Sequence, residues 1–204
     1  MQDEERHGQP LRVLSLARRI AGLRGLPPRV AWFYFRARRT AARTGDEWSL
    51  GSATKPESLA LLLQLAGGRH SVVEIGTGTA WTTAALALAD SNRRVVSYDP
   101  IERPERERYL ALSGARERIE LRSQGGEAGP AEGDAPPDFV FVDGSHEKEL
   151  TIETFEAWRS ALAPGGAIAF HDYGNELYPG VTEAIEELGL DGDVERDVFV
   201  WRAG

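Results

Sequence analysis

The sequence predicts an α/β fold: helices wound on both faces of a mostly parallel sheet, with a helical appendage at the N-terminus. Three observations predict it. From about residue 50, short β-branched runs alternate with longer helical stretches. Strands such as Asp138–Val142 are apolar along their length, as strands covered on both faces must be. One strand runs directly into a Gly-x-Gly turn and a helix, at Val73–Ala80.

The elements follow in order. Residues 11–24 read as an amphipathic helix with Val13, Leu16, Ala17, Ile20 and Leu23 on one face and Arg12, Arg18 and Arg19 opposite. Pro27 and Pro28 stop it, since proline lacks the donor a helix interior needs. A second helix spans about Arg29–Arg43, with an apolar face of Val30, Phe33, Tyr34, Ala37 and Ala41. Leu59–Ala66 is helical, after a Thr54 cap and Pro56 near the first turn. Then come strand Ser71–Ile75, helix Thr79–Ala89, strand Arg94–Tyr98, helix Pro104–Leu112 and strand Ile119–Arg122. Strand Asp138–Val142, helix Glu149–Leu162, strand Ala167–Phe170, helix Val181–Leu188 and strand material over Val194–Arg202 complete the chain. This divides it into a basic helical cap, 1–49, and an α/β domain, 50–204.

A chain of 204 residues supports one ordinary domain with a short appendage. It has no cysteine, so disulfides, thiolate metal sites and cysteine nucleophiles are excluded. No apolar run approaches a membrane span, and the arginines break any leader-like core, so a cytoplasmic protein is expected. The net charge of −8 is uneven: residues 1–43 carry +7 and residues 44–204 carry −15. An acidic body argues against nucleic acid as partner. The basic head reads first as a cap paired to the body's acids; a homodimer contact and a membrane-surface contact are its alternatives.

The turn Gly76-Thr77-Gly78 opens a cofactor site, because glycine lets backbone approach a ligand and the next helix offers free N–H groups. A dinucleotide fingerprint needs a small residue where this chain has Trp81, so a dehydrogenase is disfavoured. Glu74 before the turn would repel a pyrophosphate and suits a cationic ligand. Asp99 ends the second strand, placed to accept both hydroxyls of a ribose.

Val73–Ala80 resembles motif I of the class I S-adenosylmethionine (SAM) dependent methyltransferases. Asp138–His146 resembles their fourth-strand motif, and Leu162–Gly166 with Phe170–Tyr173 their fifth. The group most similar is the small bacterial methyltransferase family 24, related to macrocin- and catechol-type O-methyltransferases. The resemblance covers about residues 50–204. It implies a Rossmann-like, seven-stranded sheet ending in a two-strand hairpin; residues 192–202 leave little room for both strands, so an abbreviated hairpin is expected here. It implies that Glu74, Gly76, Thr77 and Gly78 shape the methionine pocket, that Asp99 holds the ribose, and that Gly125, within Ser123–Gly126, lies near adenine. Asp143 would close the cofactor crevice. Ala80 departs from the family, which usually has a third glycine there.

Asp143, His146, His171 and Asp172 fall at the ends of two strands expected to be neighbours. Methyl transfer needs a deprotonated nucleophile held in line with the methyl group. His146 is the candidate general base beside Asp143. Alternatively a divalent ion, Mg²⁺ or another, sits on Asp143 and Asp172 with His171 where relatives carry a further acid or amide, a departure that favours transition metals. The function expected is SAM-dependent O-methylation of a small-molecule hydroxyl, on a phenol, sugar or natural product. An N-methyltransferase of the same fold, or a non-catalytic SAM-binding subunit assembled through the basic helices, are its alternatives.

Overall fold

The computed structural model describes Leu23 and residues 25–204. The helix expected over 11–24 lies outside these residues, apart from Leu23, which packs against the core. The described chain begins with α1 (Pro28–Thr44), α2 (Glu47–Ser52) and α3 (Pro56–Leu65). It continues as β1 (Ser71–Ile75), α4 (Trp81–Ala89), β2 (Arg94–Tyr98), α5 (Glu105–Ser113), β3 (Ile119–Arg122), β4 (Phe139–Val142), α6 (Lys148–Arg159), β5 (Ala167–Phe170) and α7 (Pro179–Glu187). It ends in the hairpin β6 (Asp193–Glu195) and β7 (Val198–Arg202).

The sheet has seven strands in the order β3-β2-β1-β4-β5-β7-β6. The first five are parallel and β7 runs antiparallel to β5. The fold expected from the sequence is therefore present, with both hairpin strands. A two-residue turn, Arg196-Asp197, with Arg196 at φ 58°, makes room for them, and all three residues of β6 are exposed. β4 and β5 are buried at every residue, as strands covered on both faces must be. The chain reverses direction across the sheet between β1 and β4. In open α/β sheets, ligands bind outside the carboxyl ends of the strands at such a switch point.

One apolar layer joins β1, β4, β5 and β7 to α1, α3, α4 and α5. The other joins the opposite sheet face to α6 and α7 through Phe155, Trp158, Val181 and Ile185. The buried side of α1 is the set the sequence periodicity gives: Val30, Phe33, Tyr34, Ala37 and Ala41. Tyr34 and Tyr109 make edge contacts with Trp81, at 5.5 and 5.1 Å between ring centroids. Trp81 is thus part of the core.

Two polar details hold the helices in place. Arg93 is buried, and its guanidinium donates to Leu86 O and Ala66 O at the C-terminal ends of α4 and α3, where helix dipoles favour a cation. Thr54 does not cap α3. Lys55 holds the cap position without a side-chain bond, and Thr54 lies 2.9 Å from Thr82 Oγ1 while its carbonyl accepts from Tyr34. Among the described residues no helix is long and apolar enough to cross a membrane.

Phe33 is 2% exposed and ties α1 to the main core. Phe33→Ala is expected to cost about 3–5 kcal/mol in urea unfolding, from lost transfer energy and the cavity left behind. A loss below about 1 kcal/mol would mean that α1 is not part of the folding unit.

Candidate active site

The glycine turn leaves β1 at the switch point under tight constraint. Gly76 has φ 103°, and a Cβ there would sit 2.1 Å from the carbonyl oxygen of Asp143. Only glycine lets the ends of β1 and β4 approach this closely. Gly78 has φ 50° and lies under the Trp48 ring, 3.2 Å from where a Cβ would stand. Ala80, at the departure from the family pattern, adopts the left-handed conformation at φ 66° and is fully buried. A methyl group is thus tolerated at the third position at some backbone cost.

Glu74 does not open onto the crevice. It is fully buried, and its Oε2 accepts from the hydroxyls of Thr83 and Ser97, the latter at 2.5 Å. Thr77 donates in turn to Ser97, at 2.7 Å. Glu74 Oε1 is buried with no partner among the described residues. Burial pushes the Glu74 carboxyl up to about 8, against the two hydroxyl bonds, with Asp143 and Asp99 adding repulsion. Glu74 and the Thr77 hydroxyl therefore support the turn from beneath, through Thr83 and Ser97.

Asp99 directly follows β2 and is 9% exposed. Its Oδ2 accepts from Gly78 N, 2.8 Å, and from Arg106 Nη2, 2.7 Å; its Oδ1 accepts from Ile101 N, 2.8 Å. Gly125 precedes a short 3₁₀ turn, Gly126–Ala128. A Cβ at Gly126 would meet Ile75 Cγ2 at 2.5 Å, and Trp158 Nε1 donates to Gly126 O at 2.7 Å. This brings the Ser123–Gly126 segment to the end of β1.

The four acid and histidine candidates come together at the ends of β4 and β5. His171 Nδ1 lies 3.1 Å from both Asp143 Oδ1 and Asp172 Oδ2. His146 Nε2 lies 3.0 Å from the same Asp172 oxygen. Asn175 donates to Asp172 Oδ1 at 2.7 Å. Asp172 takes a left-handed φ of 61°, a conformation aspartate tolerates better than most residues. Burial alone would depress the His171 imidazole, but its bonds to Asp143 and Asp172 outweigh this and raise it to about 10. Burial raises the Asp172 carboxyl; the bonds from His146, His171 and Asn175 overcome that and hold it far below the usual carboxylate range.

The arrangement redistributes the metal candidates. Asp143, His146 and Asp172 offer ligand atoms within 4.8 Å of one another. His171 instead sits between the two carboxylates as a hydrogen-bonded cation, with its Nε2 3.4 Å from Asp197 Oδ2. Beside the cluster the Tyr178 ring stacks on His146, with centroids 4.0 Å apart, and Leu177 is 81% exposed.

Residues 73–173 match the family model described as a methyltransferase domain. This segment is a methyltransferase domain. The methyltransferase sheet is shared with solved structures. Cofactor-bound Rv0187 from MTB is 21% identical with TM-score 0.68, covering 97% of this chain and 98% of that one. The O-methyltransferase TomG of Streptomyces achromogenes, solved with SAM and involved in tomaymycin synthesis, is 23% identical with TM-score 0.63, covering 81% and 89%. An O-methyltransferase from Bacillus cereus, solved with SAH, is 20% identical with TM-score 0.65, covering 80% and 88%. At these identities the likeness is one of fold. No curated protein matches the chain.

Sequence reasoning missed Arg106, Trp48, Asn175, Tyr178 and Asp197. Arg106 had a signal: with Tyr109 and Leu110 it forms the buried side of α5 at helical spacing, inside what reads as a solvated charge run. The others reach the site through tertiary contacts that no local pattern marks.

Glu74 gives the domain a pH dependence with a definite sign. The folded state holds the Glu74 proton to about 8 against an ordinary value of 4.5. Its contribution is therefore complete below that ordinary value and is lost as pH climbs toward the folded one. Chemical unfolding of the wild type is expected to weaken over this window more steeply than that of Glu74→Gln, which is neutral throughout. Equal slopes would mean that Glu74 is ionised in the folded state.

Proposed function

We propose that the chain transfers a methyl group from SAM to a hydroxyl of a small molecule. One observation carries this reading. The Gly76–Asp143 contact joins the glycine turn to the acid and imidazole cluster, so a cofactor pocket and proton-handling groups share one crevice. SAM supplies an electrophilic methyl group on a sulfonium. The fit rests on the turn's closely approached backbone, the N-terminus of α4 and the carboxylate of Asp99. Gly76, Thr77, Gly78, Asp99 and the Gly125 segment would hold the cofactor.

His146 is the group that takes the acceptor's proton. Its Nε2–H donates to Asp172, which fixes the ring and leaves Nδ1 as the base. His171, itself bonded to Asp143, and Asn175 hold Asp172 in place, and His171 supplies the positive charge between the two carboxylates. Tyr178 on His146 and the neighbouring Leu177 offer an apolar wall for an organic acceptor. The O-methyltransferase neighbours support oxygen as the acceptor atom.

A second reading has its own observation. Asp143, His146 and Asp172 together could hold a divalent ion, which would polarise the acceptor hydroxyl. A nitrogen ligand beside two carboxylates favours a transition metal over Mg²⁺.

Two measurements test these readings. Calorimetric titration with S-adenosylhomocysteine is expected to show binding with and without a chelator, and no binding in either arm would sink the proposal. With an acceptor hydroxyl compound in hand, His146→Ala is expected to lower turnover about 100- to 10,000-fold, while S-adenosylhomocysteine affinity stays within about threefold of wild type. Unchanged turnover would remove His146 from the chemistry. Turnover abolished by chelator and restored by Mn²⁺ would select the metal reading.

A further inference from the structure

We propose that Arg106 makes the cofactor's two ribose hydroxyls unequal, by leaving Asp99 a single free acceptor site. The inference rests on the reading of SAM as cofactor and goes beyond it to how that cofactor is gripped. A carboxylate has about four acceptor positions, two on each oxygen. Three are already filled by this chain. Asp99 Oδ2 takes Gly78 N at 2.8 Å and Arg106 Nη2 at 2.7 Å, and Asp99 Oδ1 takes Ile101 N at 2.8 Å. One position remains, on Oδ1. An acid at the end of β2 can otherwise accept from both hydroxyls of a ribose.

Arg106 is fixed where it stands. Its Nε donates to Gly78 O at 2.7 Å, and its Nη2 also donates to Ile101 O. The Arg106 and Asp99 side chains are 8% and 12% exposed, so the ion pair is largely shielded from water. Swinging the guanidinium away would take the paired cation from a buried carboxylate and a donor from two backbone carbonyls, which is costly. The same side chain therefore clasps the glycine turn to the β2–α5 loop. Its Nη1 donors have no protein partner among the described residues and remain for a ligand or solvent. One ribose hydroxyl then donates to Asp99 while the other has no carboxylate position to reach. Arg106 acts through Asp99 and is a positioning residue.

The test is calorimetric titration of the full chain with three probes: S-adenosylhomocysteine and its 2′-deoxy and 3′-deoxy analogues. For the wild type, the two deoxy analogues are expected to differ from each other by about 10- to 100-fold, since only one has lost a hydrogen bond to a charged group. In Arg106→Gln the freed acceptor position serves the second hydroxyl, and the ratio is expected to fall within about threefold. Arg106→Lys keeps the ion pair and should retain most of the wild-type ratio. A merely structural role would weaken all three probes alike and leave the ratio unmoved. Equal binding of the deoxy analogues by the wild type overturns the proposal whether or not the variants fold, and so does an unchanged ratio in Arg106→Gln. If the wild type binds none of the probes, the cofactor reading fails and takes this proposal with it.

Discussion

The site depends on one steric constraint, the approach of β1 to β4 at Gly76. The carbonyl of Asp143 occupies the space any larger residue would need. That contact sets the register at which the two strands end, and the ladder continues through Asp143 N to Ile75 O at 2.8 Å. From it follow the position of the Asp143 carboxylate and, one strand over, of His171 and Asp172. The same residue begins the turn that presents Gly78 to Asp99. A glycine at the switch point therefore places both halves of the crevice at once.

Beneath the turn, burial substitutes for charge pairing. Among the described residues Glu74 has no cation beside it, only two hydroxyl donors and an unpartnered oxygen. Isolated charge in an apolar interior is so costly that a group neutralises itself instead. The protonated acid then behaves as a hydrogen-bonding strut between β1, β2 and α4. This is a different role from the one suggested by reading an acid before a glycine turn as a cation's counter-charge.

Much of the fold was legible because its signals are local. β1, β2, β3 and β5 have the bounds their apolar runs gave, and the buried side of α1 is its 3.6-residue stripe. The short helix α2 escaped notice because its stability is not in its own periodicity. Asp46 caps it, bonding Ser49 N at 3.0 Å, and the same carboxylate accepts from Tyr109 on α5 at 2.6 Å. At the site, the motif residues were visible as types at strand ends, but their partners were not. Nothing in the sequence says that His171 bridges two carboxylates while His146 reaches only one, or that Arg106 rather than Arg103 turns inward. Arg103 instead lies over the Trp48 ring, 3.5 Å from its centroid.

The acids in and beneath the crevice share a pattern of compensation that bears on the chemistry. Asp99 is matched by Arg106, Asp143 and Asp172 share the one cation His171 and keep a single net negative charge, and Glu74 is neutral through burial. A chain whose body carries −15 thus keeps its crevice near electrical balance. For methyl transfer this matters. A positive sulfonium and a deprotonating acceptor move toward neutrality as the reaction proceeds. A strongly anionic pocket would stabilise the charged starting state more than the transition state and raise the barrier. Paired carboxylates can still accept hydrogen bonds and orient His146 without imposing that field. The histidine between the two acids is therefore as much a part of the site's electrostatics as the carboxylates it bridges.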